Sequence, residues 1–396
     1  MADINELIGG YRIRTLLHPG QSSQVFEVVE PHSNRHFAMK LLLPEAAANP
    51  EQRRALFHEA EIGVKLAHPN VIRIFKVNRS QDNPHFIMEF FPSGSLRLRL
   101  QGKDMKFIRE HARKIFREAA TGLAYMNASG YVHRDVKPDN IIVNSLGDTK
   151  IIDFAISRRI QPGGLLAKMF RKKRQPQGTP SFMSPEQITD DFLDGRADIY
   201  SYGCTLYELT TGRKPFVAAS QGDLLMKHFT EKPAPPFSYN KDVTEEFSAL
   251  VLRLMAKKKE DRPENFHKVL MELRKVKIFK DEKMTDDPEG YAPVATPKPS
   301  ASEVSAAKDE PTASTNGAGS PDAQPPPTEQ PDTICLECKH KWKRRKEDGP
   351  VLSCRKCGAK RDRLRGWRPA ARPPEPQPST PPAPLINPDD IDIDAL

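Results

Sequence analysis

Residues 131–140, Y-V-H-R-D-V-K-P-D-N, constrain the fold and chemistry of this chain more than any other stretch. Short apolar runs flank them on both sides. Asp135 and Lys137 are close together, and a carboxylate beside a lysine can accept a hydroxyl proton while the ammonium neutralises developing phosphoryl charge. The amide oxygen of Asn140 can hold a metal ion. Taken alone, the stretch could also be a polar surface turn closed by Pro138.

This loop resembles the catalytic loop of protein kinases, H-R-D-x-x-x-x-N. Residues 153–155, D-F-A, begin 18 residues after Asp135 and resemble the kinase D-F-G motif with alanine in place of glycine. The resemblance implies that Asp135 accepts or orients the proton of a substrate hydroxyl and that Lys137 stabilises phosphate charge. It also implies that Asn140 and Asp153 hold the magnesium ion that bridges the phosphates.

Residues 11–43 are predicted to form three strands, with a turn H-P-G-Q-S-S-Q-V after the first. The turn resembles the kinase glycine-rich loop, with Val25 in the valine place and only the middle glycine, Gly20, kept. His18 and Ser23 stand where the other two glycines would be. An ordinary hairpin turn is the alternative reading of this stretch.

Residues 37–40, F-A-M-K, resemble the kinase V-A-I-K strand, and residues 51–66 have the spacing of an amphipathic helix. Glu59 lies on the inward face of that helix, where a carboxylate needs a cation. The resemblance pairs it with Lys40, which would contact the phosphates. With Met88 as gatekeeper and residues 89–91 as hinge, the ATP contacts predicted by resemblance are Gly20, Val25, Ala38, Lys40, Glu59, Met88, Glu89, Phe91, Asn140 and Asp153.

Residues 178–180, G-T-P, and 184–186, S-P-E, resemble the substrate-binding end of the kinase activation segment. Glu186 needs a cation if it is buried, and Arg262 is the partner that the resemblance implies. Asp198 opens an apolar helical stretch and resembles the aspartate that ties this helix to the backbone of the catalytic loop.

The resemblance covers residues 8–280 and is closest to bacterial eukaryotic-like (Hanks-type) serine/threonine kinases. It implies an α+β fold of two lobes, one small and mainly β, the other larger and helical, with Mg-ATP in the cleft between them. The expected activity is phosphorylation of protein serine and threonine hydroxyls, including the chain's own. The alternatives are a pseudokinase scaffold, suggested by the eroded glycine loop and Ala155, and an adaptor that binds nucleic acid or protein.

The activation segment has an unusual composition. Arg134 precedes the catalytic aspartate, which in kinases usually accompanies a phosphate on this segment. Residues 158–178 nevertheless contain no Ser, Thr or Tyr and are rich in Lys and Arg. We therefore expect that no priming phosphate is needed here, with Ser157 and Ser181 as the remaining candidates. An acidic substrate, an anionic partner or a short helix at 165–170 would order the segment instead.

The length of 396 residues predicts more than one unit, and the 37 prolines are concentrated late in the chain. Residues 281–331 are rich in Pro, Ala and Ser, which predicts a disordered linker, and residues 371–396 are predicted to be a disordered acidic tail. The N-terminus lacks the pattern of a signal peptide, and no run approaches the roughly 18 apolar residues of a membrane span. A cytoplasmic location is therefore expected.

Four of the five cysteines form two C-x-x-C pairs, which predicts a zinc-ribbon-like domain over residues 332–370. A redox dithiol or a disulfide pair is the alternative. The net charge of +9 is concentrated here, because residues 332–372 contain 14 Lys and Arg against 5 Asp and Glu. A nucleic acid or another acidic partner is one use of such a basic surface, and a purely structural or protein-binding ribbon is the other. The predicted zinc ligands are Cys335, Cys338, Cys354 and Cys357.

Overall fold

The computed structural model of the protein describes residues 4–160 and 175–283, together with the backbone of two short strands, Thr333–Ile334 and Lys341–Trp342. The chain divides into two compact units, Met1–Glu303 and Val304–Leu396. The first unit contains the motifs that resemble a kinase.

A six-stranded antiparallel sheet forms the N-terminal part of the first unit. Its strands are β1 Leu7–Ile8, β2 Tyr11–Pro19, β3 Ser23–Glu30, β4 Arg35–Leu42, β5 Ile74–Asn78 and β6 His85–Glu89, in the spatial order β1-β2-β3-β4-β6-β5. The predicted three strands of residues 11–43 are present, and the short β1 precedes them. Val71 lies outside the sheet and bridges to Ile151.

The two faces of this sheet have different tasks, because successive side chains on a strand point to opposite sides. One face carries a compact apolar core that includes Ile13, Phe26, Val28, Met39 and Ile87. Alternation along β3 and β4 places Val25, Ala38 and Lys40 on the other face. One face of the sheet thus packs in a core, and the other face is left to form one wall of the predicted ATP cleft.

Two helices, α1 Pro44–Ala48 and α2 Pro50–Gly63, follow β4. Asn49 caps α2, since its side chain accepts from the backbone amides of Glu51 and Gln52, and Pro50 suits the first helical position. Glu59 is buried on α2, as its inward position predicted. The helix ends at Gly63, three residues before the predicted end.

The larger part of the first unit is helical, in agreement with the expected helical lobe. Its central helix, Met105–Ala128, buries Ile108, Ala112, Ile115 and Phe116 on one face. That face packs on the mostly buried helix Gly195–Thr211, where Tyr202 donates a hydrogen bond to the Phe116 carbonyl at 2.7 Å. The helices of this part are α3 Leu96–Gln101, α4 Met105–Ala128, α5 Pro185–Ile188, α6 Gly195–Thr211, α7 Gln221–Thr230, α8 Glu245–Leu254 and α9 Phe266–Lys275.

Short strands hold the loop of residues 131–140 in place. The strands are β7 Gly94–Ser95, β8 Tyr131–Val132, β9 Ile141–Val143, β10 Thr149–Ile151 and β11 Arg158–Arg159. Before the loop, β8 pairs with β11, and after it β9 forms a hairpin with β10 while also pairing with β7. A 3-10 turn, Pro138–Asn140, closes the loop.

In the second unit, β12 Thr333–Ile334 pairs antiparallel with β13 Lys341–Trp342. The predicted linker, the acidic tail, the four zinc ligands and the predicted helix at 165–170 lie outside the described residues. Of the helices that the structure describes, none has both the length and the hydropathy needed to cross a lipid bilayer.

Candidate active site

A buried ion pair joins the sheet to helix α2. The ammonium Nζ of Lys40 lies 2.6 Å from Oε2 of Glu59, and the two side chains are 19% and 6% exposed. Burial raises the pKa of Glu59 to about 7, with Lys40 opposing the rise and Asp153 adding to it. Burial alone would lower the pKa of Lys40, but the carboxylates of Glu59 and Asp153 outweigh it and the pKa is raised. Lys40 is therefore a fixed cation in the cleft.

Asp135 is held by hydrogen bonds at both of its carboxylate oxygens. Oδ1 accepts from the hydroxyl of Thr179 at 2.8 Å and from the Thr179 amide at 3.0 Å. Oδ2 lies 2.7 Å from Nζ of Lys137 and accepts from Nδ2 of Asn140 at 3.0 Å. Lys137 also donates to the Thr179 hydroxyl at 2.7 Å. Thr179, in the stretch that resembles the substrate-binding end of a kinase activation segment, is thus bonded directly to the carboxylate and lysine of the loop.

Asp153 and Asn140 provide the oxygen atoms that could hold a metal ion. Asn140 uses its amide nitrogen on Asp135, which leaves the amide oxygen for a cation. Burial alone would raise the pKa of Asp153, but Lys40, the amide of Ala155, His133 and Lys137 together lower it, so the carboxylate is charged. A carboxylate and an amide oxygen are suitable ligands for Mg²⁺.

Alanine in the D-F-A motif costs no backbone strain in this arrangement. Within this motif the left-handed conformation is adopted by Asp153, at φ 67°, and not by Ala155. Phe154 is fully buried and packs close to Gly63 of α2, where an added Cβ would meet its ring at 3.2 Å. The motif is therefore docked beneath the helix that carries Glu59.

The predicted adenine side of the cleft is formed by β3, β4 and β6. Cross-strand pairing sets Val25 opposite Lys40 and Ala38 opposite Met88, so these four side chains share the cleft face of the sheet. Glu89, predicted as a hinge residue, donates its backbone amide to the Arg73 carbonyl at 2.8 Å and pairs its side chain with Lys150 at 3.0 Å.

Two further predicted contacts border this side of the cleft. Phe91 is partly buried and lies beneath the Lys150 ammonium, 5.4 Å from its ring centre. Gly20 makes the tight turn between β2 and β3, where an added Cβ would lie 2.4 Å from the Ser23 carbonyl oxygen. Both readings of this turn, as a hairpin and as an eroded glycine-rich loop, fit that geometry.

The two structural pairings expected from the sequence are present. Asp198 is fully buried and accepts the backbone amides of His133 at 2.8 Å and of Arg134 at 2.9 Å. Arg262 donates to both carboxylate oxygens of Glu186. The first contact fixes the backbone of the loop of residues 131–140, and the second anchors the S-P-E stretch of residues 184–186.

Two residues of this network were missed by the sequence analysis. Asn127 donates from Nδ2 to Asp198 at 3.1 Å and to the Tyr131 carbonyl at 2.9 Å. Gln187 donates to carbonyls of both the catalytic loop and the activation segment. Gln187 directly follows the S-P-E motif, and its place beside that motif could have marked it as a candidate. Asn127 lies near the end of the long helix α4, where no motif in the neighbouring sequence indicates its role.

Comparison with known proteins gives a consistent result. A family model described as the protein kinase domain matches residues 11–273. Serine/threonine-protein kinase PknB of Mycobacterium leprae is 29% identical over 268 residues, which are 67% of this chain and 42% of that protein.

Two further relatives carry similar names. A probable serine/threonine-protein kinase of Streptomyces coelicolor is 30% identical over 261 residues, 65% of this chain and 38% of the relative. A probable serine/threonine-protein kinase of Clostridium acetobutylicum is 30% identical over 281 residues, 69% of this chain and 41% of the relative. The matched part thus spans less than half the length of these relatives.

Proposed function

Because the chain belongs to the protein kinase family, we propose that it transfers the γ-phosphate of Mg-ATP to serine and threonine hydroxyls of protein substrates, its own included. The contact that carries this proposal is the one between Asp135 and Thr179. In it, the hydrogen-bonded carboxyl group of Asp135 lies beside the Nζ of Lys137 and next to Thr179, which supports a role for both groups at the site where a substrate hydroxyl would bind.

Each group has one task in this reaction. Asp135 accepts or orients the proton of the substrate hydroxyl as the oxygen attacks the γ-phosphorus and ADP leaves. Lys137 neutralises charge on the phosphoryl group in transfer, and Lys40, aimed by Glu59, contacts the phosphates that stay with ADP. Mg²⁺, held by Asn140 and Asp153, would neutralise charge on the phosphate oxygens.

The closed Lys40–Glu59 pair favours this proposal over a pseudokinase scaffold. Lys40 and Lys137 both lower the pKa of Asp153, which supports a shared site for these three charged groups, and Phe154 is buried beneath α2. The loss of two glycines from the turn at Gly20 changes the loop that would cover the phosphates, and Ala155 changes the backbone of the D-F-A motif. They remove no charge from the site.

Transfer of radiolabelled phosphate from ATP to a general protein substrate tests the function, with Asp135→Asn as the critical variant. We expect its kcat to fall by at least about 10²-fold, because a general base is lost. Its affinity for ATP should change by less than about twofold, because the ATP contacts lie elsewhere. Asp82→Asn, at an exposed position between β5 and β6, is the matched control. Near-wild-type transfer by Asp135→Asn, or no transfer by the wild-type protein, would contradict the proposal.

We further propose that Cys335, Cys338, Cys354 and Cys357 bind one structural zinc ion. Two C-x-x-C pairs supply four thiolates, the donor set of a closed tetrahedral zinc site. The pairing of Thr333–Ile334 with Lys341–Trp342 supports this, because the first C-x-x-C pair is in the six residues that connect those strands.

The excess of Lys and Arg in the predicted ribbon further supports an anionic partner for it, such as a nucleic acid. A mobility-shift titration of the intact protein with single-stranded DNA, with and without a zinc chelator, tests this use. No shift at low salt would contradict it. The cytoplasmic location stays a prediction.

A further inference from the structure

The guanidinium of Arg134 contacts both ends of the activation segment. Arg134 adopts a left-handed backbone conformation, at φ 72°, and its side chain is buried. Nη1 donates to the carbonyl of Ile156 at 2.9 Å, at the start of the segment, and lies 3.5 Å from Oε1 of Gln177, near its end. The arginine thus connects the two ends of the segment to the catalytic loop.

Gln187 connects the same two parts through its side-chain amide. It is 1% exposed, and Nε2 donates to the carbonyls of Arg134 and of Gln177, each at 2.6 Å. The space that this amide occupies depends on Gly178, where an added Cβ would lie 2.6 Å from Nε2 and 3.0 Å from the Arg134 carbonyl oxygen. Both hydrogens of this amide are therefore used in hydrogen bonds, one to the catalytic loop and one to the activation segment.

Gln177 has a second role through its own side chain. Oε1 accepts from Nη2 of Arg158 at 3.0 Å in addition to its longer contact with Arg134. A neutral oxygen acceptor therefore lies between two guanidinium groups, and bonds from a charged donor are stronger than neutral ones. Two residues further on, Thr179 contacts Asp135. A change in the position of Gln177 should therefore move the backbone next to the residue that bonds the catalytic carboxylate.

The hydroxyls of the described parts of this segment are poorly placed to receive a phosphate. Ser157 has no exposed surface and donates to the His133 carbonyl at 3.1 Å. Ser181 is 8% exposed, and Ser184 is fully buried and caps α5. Thr179 is bonded to Asp135 and Lys137. Residues 161–174 contain no Ser, Thr or Tyr.

We propose that Gln177 and Gln187 are positioning residues that hold the activation segment on Arg134 with neutral amides, so that the site is assembled without a phosphate on this segment. This inference rests on the proposed kinase function and adds how the site is regulated. It predicts an enzyme whose activity does not depend on priming at residues 153–188.

The central variant is Gln187→Glu, which keeps the shape of the side chain but removes both amide hydrogens and faces two carbonyls with a carboxylate. We expect kcat to fall by at least about tenfold, since two buried donors are lost, and the KM for ATP to change by less than about twofold. Gln175→Glu, at an exposed position of the same segment, adds the same charge and is the control. Equal effects of the two variants would overturn the proposal.

Gln177 is exposed and can be changed without disturbing a core, so it tests the inference independently of folding. Gln177→Ala should lower kcat by about threefold, and Gln177→Glu should be more active than Gln177→Ala because a carboxylate pairs with both arginines. The advantage of Gln177→Glu should shrink at high salt, where exposed charges are screened. A Gln177→Ala enzyme equal to wild type would count against the proposal.

Phosphatase treatment supplies the direct test. Protein that mass spectrometry shows to be free of phosphate at residues 153–188 should keep wild-type kcat. Loss of activity, restored by a phosphate within those residues, would overturn the inference.

Hydrogen exchange separates this inference from the proposed function. The Thr179 amide, which donates to Asp135, should be protected in wild-type protein without phosphate and should exchange faster in Gln187→Glu. If the wild-type protein transfers no phosphate but shows this pattern, the kinase function fails and the role of the glutamines stands. If the enzyme is active and Thr179 exchanges equally fast in both proteins, the role of the glutamines fails alone.

Discussion

Arg262 donates to both carboxylate oxygens of Glu186, at 2.6 and 3.0 Å, from a side chain with no exposed surface. The arginine also donates to the carbonyls of Ala256, Arg196 and Lys257, so its guanidinium is bonded on every side. The pair joins the end of the activation segment to the turn before α9. Because the pair is buried, the loss of either side chain should have a large effect on the free energy of unfolding.

Removing one member of this pair should therefore destabilise the protein strongly. We expect Arg262→Ala to lower the free energy of unfolding by about 3–5 kcal/mol, because it leaves the Glu186 carboxylate buried without its cation. Urea denaturation measures this change. Arg79→Ala, which removes the exposed pair with Glu61, should cost less than about 1 kcal/mol. Similar losses in the two variants would show that burial of the Glu186 pair has no special importance.

Gly195→Ala should disturb the contact between Asn127 and Asp198, which holds the catalytic loop in place. An added Cβ would lie 2.2 Å from Oδ1 of Asn127, whose amide nitrogen bonds Asp198. We expect a loss of about 1–3 kcal/mol in stability and a lower kcat, because Asn127 must move away from Asp198. Gly222→Ala on α7 is the matched control, since the nearest atom to its Cβ would be 3.8 Å away. A Gly195→Ala protein as stable and active as Gly222→Ala would refute this role of Asn127.

His228 should make the protein sensitive to acid. It is fully buried, its Nδ1 lies 2.8 Å from the Tyr200 hydroxyl, and burial together with Lys257 lowers its pKa to about 4. The folded state therefore binds fewer protons than the unfolded state between pH 4 and the ordinary histidine pKa of about 6.5. Stability is present above that window and is lost as the pH falls through it.

Between pH 7 and pH 5 the wild-type protein should lose about 2 kcal/mol more stability than His228→Gln, which cannot be protonated. Urea denaturation at the two pH values measures the difference. His32→Gln, at an exposed position, should keep the wild-type slope. If His228→Gln and the wild-type protein lose stability in parallel, the buried histidine is not the cause.

The proposed zinc site makes a prediction that does not depend on kinase activity. Protein purified without chelator should contain one zinc ion per chain, as measured by elemental mass spectrometry. Cys335→Ser should lower the zinc content to well below one, because it removes a thiolate ligand. Cys204→Ser, in the buried core of α6, should retain the metal. Wild-type protein without zinc, or Cys335→Ser with a full complement, would exclude the site.

Much of the fold could be predicted because its signals are local. The apolar spacing of residues 108–123 predicts the long helix α4, and the two short apolar runs on either side of residues 144–148 predict the hairpin β9–β10. Boundaries depend on packing. Residues 71–77 read as one strand in the sequence, but the strand begins at Ile74, because Val71 pairs with Ile151 outside the sheet.

The chemical groups of the candidate site can be named from the sequence, because short motifs that resemble those of kinases contain them. Asp135, Lys137 and Asn140 share one short loop, and Lys40 and Glu59 lie at inward positions of a strand and a helix. The contacts that hold these groups in place depend instead on the tertiary structure. Gln187 reaches Arg134 across 53 positions, and Asn127 reaches Asp198 across 71. Such contacts leave no periodic trace in the sequence, because they depend on how separate helices and loops pack rather than on the order of residues within one of them.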